Sequence, residues 1–66
     1  MAVARVTEIR ASSTEGFQEA VLEGVKRAAK TLRGITGIEV LSKRIKVERG
    51  KVVEYRIDMK LIFVLD

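Results

Sequence analysis

Alternation of apolar and charged side chains near the C-terminus constrains the fold of this chain more than any other feature. Every odd position from residue 53 to residue 65 is apolar, and the even positions from 54 to 60 are charged. A period of two is typical of a strand with one buried face. At about 3.3 Å per residue this strand would be roughly 40 Å long, whereas a compact chain of this size has a radius of gyration of about 11 Å. We therefore expect other copies of the chain to cover part of the strand, and any binding site to lie between copies.

The composition limits the protein to a small domain without cysteine or histidine chemistry. With 66 residues the chain is expected to be a single domain over residues 1–66. It has no cysteine and no histidine, which excludes disulfides, thiolate metal sites and cysteine nucleophiles. No apolar run approaches membrane-spanning length and no signal-peptide pattern is present, so we expect a cytoplasmic protein that does not enter a membrane.

No catalytic motif is recognisable in the sequence. The five glycines lack the spacing of a phosphate-binding loop. Ser12, Ser13 and Thr14 form a hydroxyl cluster, but no general base is near it in sequence, so these residues are interpreted as part of a helix cap. We expect a binding protein and not an enzyme.

A net charge of +4 leaves several kinds of anionic partner open. Binding of single-stranded nucleic acid through base stacking requires exposed aromatic side chains. The three aromatic residues, Phe17, Tyr55 and Phe63, are instead predicted to lie in the core. Nucleic acid is therefore the least favoured partner.

The predicted elements begin with a strand over Val3–Arg10. A break at residues 11–14 follows, and the capping-box pair Ser12 and Glu15 predicts a helix of about 20 residues from here. Gly34 is predicted as its C-cap. One helix face is apolar and includes Phe17, Val21, Val25, Ala28 and Leu32.

Residues 35–37 are predicted to be a connector, followed by a second strand over Ile38–Val47. Ser42-Lys43-Arg44 in its middle suggests a bulge or bend. Glu48–Lys51 is predicted to form a hairpin turn with Gly50 at positive φ. The helix crossover permits the first strand to lie beside the third. The pattern predicts an α+β domain of β-α-β-β order with the helix on one face of a three-stranded sheet, which is antiparallel or mixed.

Acidic side chains at alternating strand positions leave a metal site open. Glu8, Glu39, Glu54 and Asp58 are expected on a solvated sheet face. In a symmetric oligomer a few of them would supply the six to eight oxygens that calcium prefers. The metal ligands themselves stay unknown at this point.

The whole chain resembles the dodecin family. The similarity comes from the opening VARVTEI, from Phe17 at the start of the helix, from RAAKTL at its end, and from KVVEYR and LIFVL in the third strand. The resemblance implies a three-stranded antiparallel sheet partly wrapped around one helix. It also implies a hollow homododecamer of 23 symmetry that stores a small molecule and does not transform it.

The resemblance further implies flavin binding, with riboflavin or FMN held between subunits. The tryptophan that stacks on the flavin in this family falls on Gly37, and the glutamine that bonds the flavin edge falls on Arg56. Ser42 and Arg44 lie where the remaining ligand contacts come from the second strand. The expected ligand-binding residues are therefore Gly37, Ser42, Arg44 and Arg56. A subgroup of the family that lacks the tryptophan binds calcium, and this chain is similar to it in having arginine after Tyr55. Calcium, or a shell without any ligand, is thus the alternative.

Overall fold

A computed structural model describes residues 3–65 of the chain. It contains strand β1 at Val3–Ser13, helix α1 at Phe17–Ala28, strand β2 at Ile35–Glu48 and strand β3 at Lys51–Leu65. The strands form one antiparallel sheet in the order β1-β3-β2. The predicted α+β architecture is therefore confirmed, and the first strand lies beside the third as expected.

The core is the layer between α1 and the odd-numbered side chains of β3. Ile57, Met59, Leu61 and Phe63 are buried and meet Ala20 of the helix. Because Gly24 has no side chain, the helix comes close to the sheet there, and a Cβ atom built at Gly24 would lie 2.6 Å from Cε of Met59. The period-two pattern of β3 thus predicted the buried face correctly.

The predicted helix start at Ser12 is wrong. Ser12 and Ser13 belong to β1, where they lie opposite Arg56 and Tyr55 of β3. The helix begins at Phe17, its N-cap is Gly16, and no side chain caps it. Ser13 Oγ accepts a hydrogen bond from the amide of Glu15 at 3.0 Å, which forms the turn between strand and helix in place of the capping box. Pairing with β3 extends β1 beyond the predicted break.

The helix also ends earlier than predicted, after 12 residues, with Ala29 and not Gly34 as its C-cap. The backbone forms 3₁₀-type turns after the helix, because the amides of Lys30 and Thr31 donate hydrogen bonds to the carbonyls three residues before them. Gly34 has φ +73° and redirects the chain into β2. Residues 35–37, predicted as a connector, are the first residues of that strand.

The second and third strands form the predicted hairpin. Its turn has positive φ at Arg49 (52°) and Gly50 (75°), as in a type I′ turn. The predicted irregularity near Ser42 is a register shift between Val40 and Ser42, and two further shifts occur along β2. The ladder between β1 and β3 has no such shift.

The sheet is much longer than the helix that covers it. The chain measures 51 × 20 × 13 Å and has a radius of gyration of 13.6 Å, against about 11 Å for a compact chain of this length. Val47 and Val52 near the hairpin and Val3 at the opposite end are about half exposed. Apolar surface is therefore left uncovered at both ends of the sheet. Within residues 3–65, the helix is too short and too polar to span a bilayer.

Candidate ligand-binding face

The sheet surface that faces away from α1 carries most of the charged side chains of the strands. Residues directly opposite each other in a sheet project from the same face, so the register assigns this surface, here called the outer face. Its polar members are Glu8, Arg10, Ser12, Glu39, Ser42, Arg44, Lys46, Glu54, Arg56, Asp58 and Lys60. The outer face contains three of the four predicted ligand-binding side chains.

The structure brings Ser42, Arg44 and Arg56 together. Ser42 lies opposite Asp58, and Arg44 lies directly opposite Arg56 on the neighbouring strand. Gly37 is the exception, because it lies opposite Ile62, which is six positions along β3 from Arg56. At about 3.3 Å per residue this is roughly 20 Å. One chain therefore does not bring Gly37 next to the two arginines.

Asp58 connects all three strands of the outer face. Its carboxylate accepts hydrogen bonds from Nε of Arg10 at 2.5 Å and from Oγ of Ser42 at 2.9 Å. Nη2 of Arg44 lies 3.6 Å from its second oxygen. The Arg10 guanidinium, followed by the Ser42 hydroxyl, holds the pKa of Asp58 below its ordinary value. Asp58 thereby fixes the position of two predicted ligand-binding side chains.

Arg56 is held by a carboxylate of its own strand. Its Nε donates to Oε1 of Glu54 at 2.8 Å, and this bond is the main reason that the pKa of Glu54 lies below its ordinary value. The side chains of Arg44 and Arg56 are still 62% and 42% exposed. Two guanidinium groups on adjacent strands are thus anchored on one side and open to solvent on the other.

Gly37 lies at the apolar end of the outer face. A Cβ atom at this position would touch only the side chain of Ile62, at 3.8 and 3.9 Å. These are ordinary van der Waals distances, so a side chain fits here without displacing its neighbours. The missing side chain therefore leaves open space next to Ile62, here called the Gly37 recess.

The acidic residues do not form a metal site within one chain. Residues 3–65 contain no cluster of three carboxylates that could hold a metal ion. Glu54 and Asp58 are both bound by arginine, while Glu8 and Glu39 are exposed. A cation on this surface would need carboxylates from more than one copy.

The aromatic residues lie on the helix side of the sheet, as predicted. Phe17 packs edge-on against Tyr55 with ring centroids 5.1 Å apart, and Nζ of Lys43 lies 5.5 Å from the centroid of Phe17. Phe63 is buried. None of the three offers a stacking surface on the outer face.

Sequence reasoning missed Arg10 as a neighbour of the site, and it gave Asp58 a solvated position or a share in a calcium site, but no role in connecting the strands. The signal that would reveal them is the register of β1 and β2 against β3, which puts Arg10 and Ser42 on either side of Asp58. A shift between Val40 and Ser42 sets that register, and the local sequence does not fix its position.

Comparison with solved structures gives close matches over almost the whole chain. A dodecin from Streptomyces coelicolor is 37% identical, with 98% of this chain and 93% of that chain covered and a TM-score of 0.92. A dodecin from Streptomyces davaonensis is 34% identical, with coverages of 98% and 96% and the same TM-score.

A calcium-chelating antigen of Mycobacterium tuberculosis, described as a calcium dodecin with a calcium-binding site, is 28% identical. The structural match covers 97% of this chain and 91% of that antigen's chain, with a TM-score of 0.82. No curated protein matches the sequence. The family model described as Dodecin matches residues 3–66. The chain therefore belongs to the dodecin family, and this membership supports a role in binding a small molecule.

Proposed function

We propose that this protein forms a homododecamer that binds and stores an anionic small molecule, with FMN as the first candidate and riboflavin as a weaker ligand. The site consists of Gly37, Ser42, Arg44 and Arg56 on the outer face, contributed by more than one copy. The proposal includes no chemical transformation of the ligand.

The observation that carries this proposal is the direct cross-strand pair of Arg44 and Arg56. Like charges directly opposite each other destabilise a sheet. Each arginine has one carboxylate neighbour, yet both keep an exposed part. An anion bound between them would relieve the repulsion and accept hydrogen bonds from both guanidinium groups. A phosphate group suits this pair of guanidinium groups because its oxygens accept hydrogen bonds from the planar N–H donors of arginine.

The distance between Gly37 and Arg56 supports a site shared between copies. About 20 Å along the strand is too far for one isoalloxazine ring to contact both positions of a single chain. The apolar recess at Gly37 of one copy and the arginine pair of another would together hold a flavin, the recess accepting the ring and the arginines the phosphate. The exposed apolar ends of the sheet supply surface for contacts between copies.

Titration of FMN and riboflavin, followed by flavin fluorescence, tests the proposal. FMN is expected to bind more tightly because only FMN presents a phosphate to the arginine pair. Arg44→Gln is expected to weaken FMN binding by roughly tenfold, as for the loss of one charge-assisted hydrogen bond, and to leave riboflavin binding unchanged. Lys51→Gln in the hairpin removes the same charge away from the site and serves as the control.

Unaltered FMN fluorescence and anisotropy at tens of micromolar protein would contradict flavin binding. Equal weakening by Arg44→Gln and Lys51→Gln would show that net charge acts, and not the site. Sedimentation tests the assembly separately, since a particle of monomer mass contradicts the homododecamer whatever the ligand.

Calcium is the second candidate because a structural relative is a calcium dodecin. Carboxylates of several copies would form this site, with Glu8 and Glu39 as the exposed candidates. Calorimetry with calcium and thermal melting with and without a chelator test this version. Heat of binding together with a chelator-sensitive melting temperature supports it, and the absence of both leaves a shell with a purely structural role.

A further inference from the structure

The carboxylate of Asp58 is occupied by two donors other than Arg44. Nε of Arg10 donates to its Oδ1 at 2.5 Å, and Oγ of Ser42 donates to its Oδ2 at 2.9 Å. Nη2 of Arg44 lies 3.6 Å from Oδ2, which is too long for a hydrogen bond. The contact therefore keeps Arg44 close to Asp58 but does not bind it tightly.

Arg44 differs in this respect from the two other arginines of the outer face. Arg10 and Arg56 each donate from Nε to a carboxylate, at 2.5 and 2.8 Å. Such charge-assisted hydrogen bonds hold a guanidinium group much more firmly than a contact at 3.6 Å does. With 62% of its side chain exposed, Arg44 is the arginine of this face that can most easily turn toward a bound anion.

We propose that Arg10 is a positioning residue for anion binding, because by occupying Asp58 it keeps the guanidinium group of Arg44 available to the anion. This inference rests on the proposed function, in which Arg44 and Arg56 bind the phosphate of FMN. Arg10 lies on β1 and Arg44 on β2, with the strand of Asp58 between them. Arg10 therefore acts through Asp58, and it makes no contact with the ligand.

The competition arises because one carboxylate lies between two cations. The hydrogen bond from Arg10 contributes most to the lowered pKa of Asp58, and the charge of Arg44 contributes least. Because the Asp58 side chain is only 21% exposed, water compensates poorly for a lost donor. Without Arg10, Oδ1 of Asp58 would lose its donor, and Arg44 is close enough to replace it.

An ion pair between Arg44 and Asp58 would oppose ligand binding. Arg44 would have to leave the carboxylate before it could donate to a phosphate beside Arg56, and the loss of the ion pair would offset part of the binding free energy. The short bond between Arg10 and Asp58 prevents this loss. Arg10 thereby increases the affinity of a site that it does not touch.

Titration of FMN, followed by flavin fluorescence, tests this role. Arg10→Gln is expected to weaken FMN binding about three- to fivefold, as for an exposed ion pair that must break first. Asp58→Asn added to Arg10→Gln removes the competing carboxylate and should restore the affinity to within about twofold of the unsubstituted protein. Arg10→Lys keeps a cation beside Asp58 and should bind FMN almost as tightly as the unsubstituted protein.

Two control variants separate this effect from a change in net charge. Arg5→Gln removes the same charge from an exposed position on the helix side of β1 and should leave FMN binding nearly unchanged. Glu15→Gln, in the turn before α1, restores the net charge of Arg10→Gln away from Asp58 and should not restore the affinity. Equal rescue by Glu15→Gln and Asp58→Asn would overturn the proposal. No rescue by Asp58→Asn would also overturn it, since Arg10 would then contact the phosphate directly.

Thermal melting without ligand, at a fixed protein concentration, tests the competition for Asp58 separately. It decides this inference even if FMN does not bind and the proposed function fails. Arg44→Gln should not lower the melting temperature of the otherwise unsubstituted protein, because Asp58 holds Arg44 only loosely. In the Arg10→Gln background Arg44 binds Asp58, and Arg44→Gln should lower the melting temperature by about 2–4 °C. Equal effects in the two backgrounds would overturn the proposal.

Crystal structures of the unsubstituted protein without and with FMN keep the test decisive if Arg10→Gln fails to fold. Arg10 is expected to donate to Asp58 in both, whereas Arg44 is expected to donate to the phosphate in the complex. Without FMN, a direct hydrogen bond from Arg44 to Asp58 would overturn the proposal. In the complex, a contact between Arg10 and the phosphate would do the same.

Discussion

Asp58 in the central strand accepts a hydrogen bond from Nε of Arg10 in β1 at 2.5 Å. The same carboxylate accepts from Ser42 in β2, so one side chain connects the two outer strands through the middle one. Arg44, a proposed ligand-binding residue, is positioned by this carboxylate too. The stability of the sheet and the geometry of the site therefore depend on a shared group.

Low pH is expected to lower the stability of the folded protein because it protonates the carboxylate of Asp58. Arg10 and Ser42 hold the pKa of Asp58 in the folded chain below its ordinary value of 3.8. A carboxyl whose pKa is lower when folded stabilises the protein above its unfolded pKa, and this contribution is lost as pH falls through the folded pKa. Thermal melting between about pH 5 and pH 2 should show a falling melting temperature.

Asp58→Asn tests the assignment of this acid sensitivity. The variant cannot titrate at position 58, so its melting temperature should be lower at neutral pH and should fall less steeply in acid. Glu39→Gln removes an exposed carboxylate of the same face and should keep the wild-type pH profile. An acid limb of unchanged slope in Asp58→Asn would show that other carboxylates, such as Glu54, dominate.

The fold could be predicted largely from side-chain periodicity, because burial imposes that periodicity directly. The odd residues of β3 face the helix as expected, with Ile57 and Met59 fully buried. Element ends were less predictable. Ser12 and Glu15 fit a capping box, yet Ser12 belongs to β1 because it finds a partner in Arg56 of β3. Such long-range pairing outweighs a local capping preference and leaves no local signal.

The candidate site could also be predicted only in part. The resemblance to the dodecin family implied that Arg44 and Arg56 bind the ligand, and the strand register makes the two residues direct neighbours. The role of Asp58 depends on three strands meeting in one register, which in turn depends on the shift between Val40 and Ser42. A bulge can be expected from a polar interruption such as residues 42–44, but its exact partner residues follow only from the assembled sheet.

Substitutions at two adjacent positions of the hairpin turn are expected to change the stability of the protein in opposite directions. Arg49 has φ 52°, a conformation that costs a non-glycine residue about 1 kcal/mol or more. Asparagine is favoured at this position of a type I′ turn, so Arg49→Asn should stabilise the protein by roughly 0.5–1 kcal/mol. Gly50 has φ 75°, and Gly50→Ala should destabilise it by about 1 kcal/mol.

Urea denaturation at a fixed protein concentration measures both changes. The concentration must be held constant because association contributes to the apparent stability. Destabilisation by Arg49→Asn, or no effect of Gly50→Ala, would mean that the turn is not of type I′ in solution.

Gly24 and Met59 are expected to be energetically coupled. Met59 is fully buried, so Met59→Ala should cost about 2–5 kcal/mol. Gly24→Ala gains up to about 1 kcal/mol of helix propensity, but the new Cβ would lie 2.6 Å from Cε of Met59. In the Met59→Ala background that obstacle is gone, and Gly24→Ala should be more favourable there than in the wild type.

A double-mutant cycle by urea denaturation gives the coupling, expected at roughly 0.5–2 kcal/mol. Arg49→Asn, far from the core in the hairpin, provides a control that should add independently to either substitution. Additive effects of the Gly24 and Met59 changes would show that the helix and sheet do not meet as closely as this packing implies.

Gly37→Trp should increase the affinity for flavin. The position accepts a Cβ atom with only Ile62 in contact, at 3.8 Å, so the fold should tolerate the indole on the outer face. Stacking of an aromatic side chain on a planar ring is worth about 1–3 kcal/mol, which corresponds to roughly 5- to 150-fold tighter binding. Riboflavin titration by fluorescence quenching is the direct measurement, because riboflavin lacks the phosphate that the arginines would bind.

Gly37→Leu adds apolar volume without an aromatic face and should give a much smaller gain. Equal gains from the two variants would mean that the recess at Gly37 accepts any apolar group and is not a stacking site, and no gain from either would place the flavin ring elsewhere.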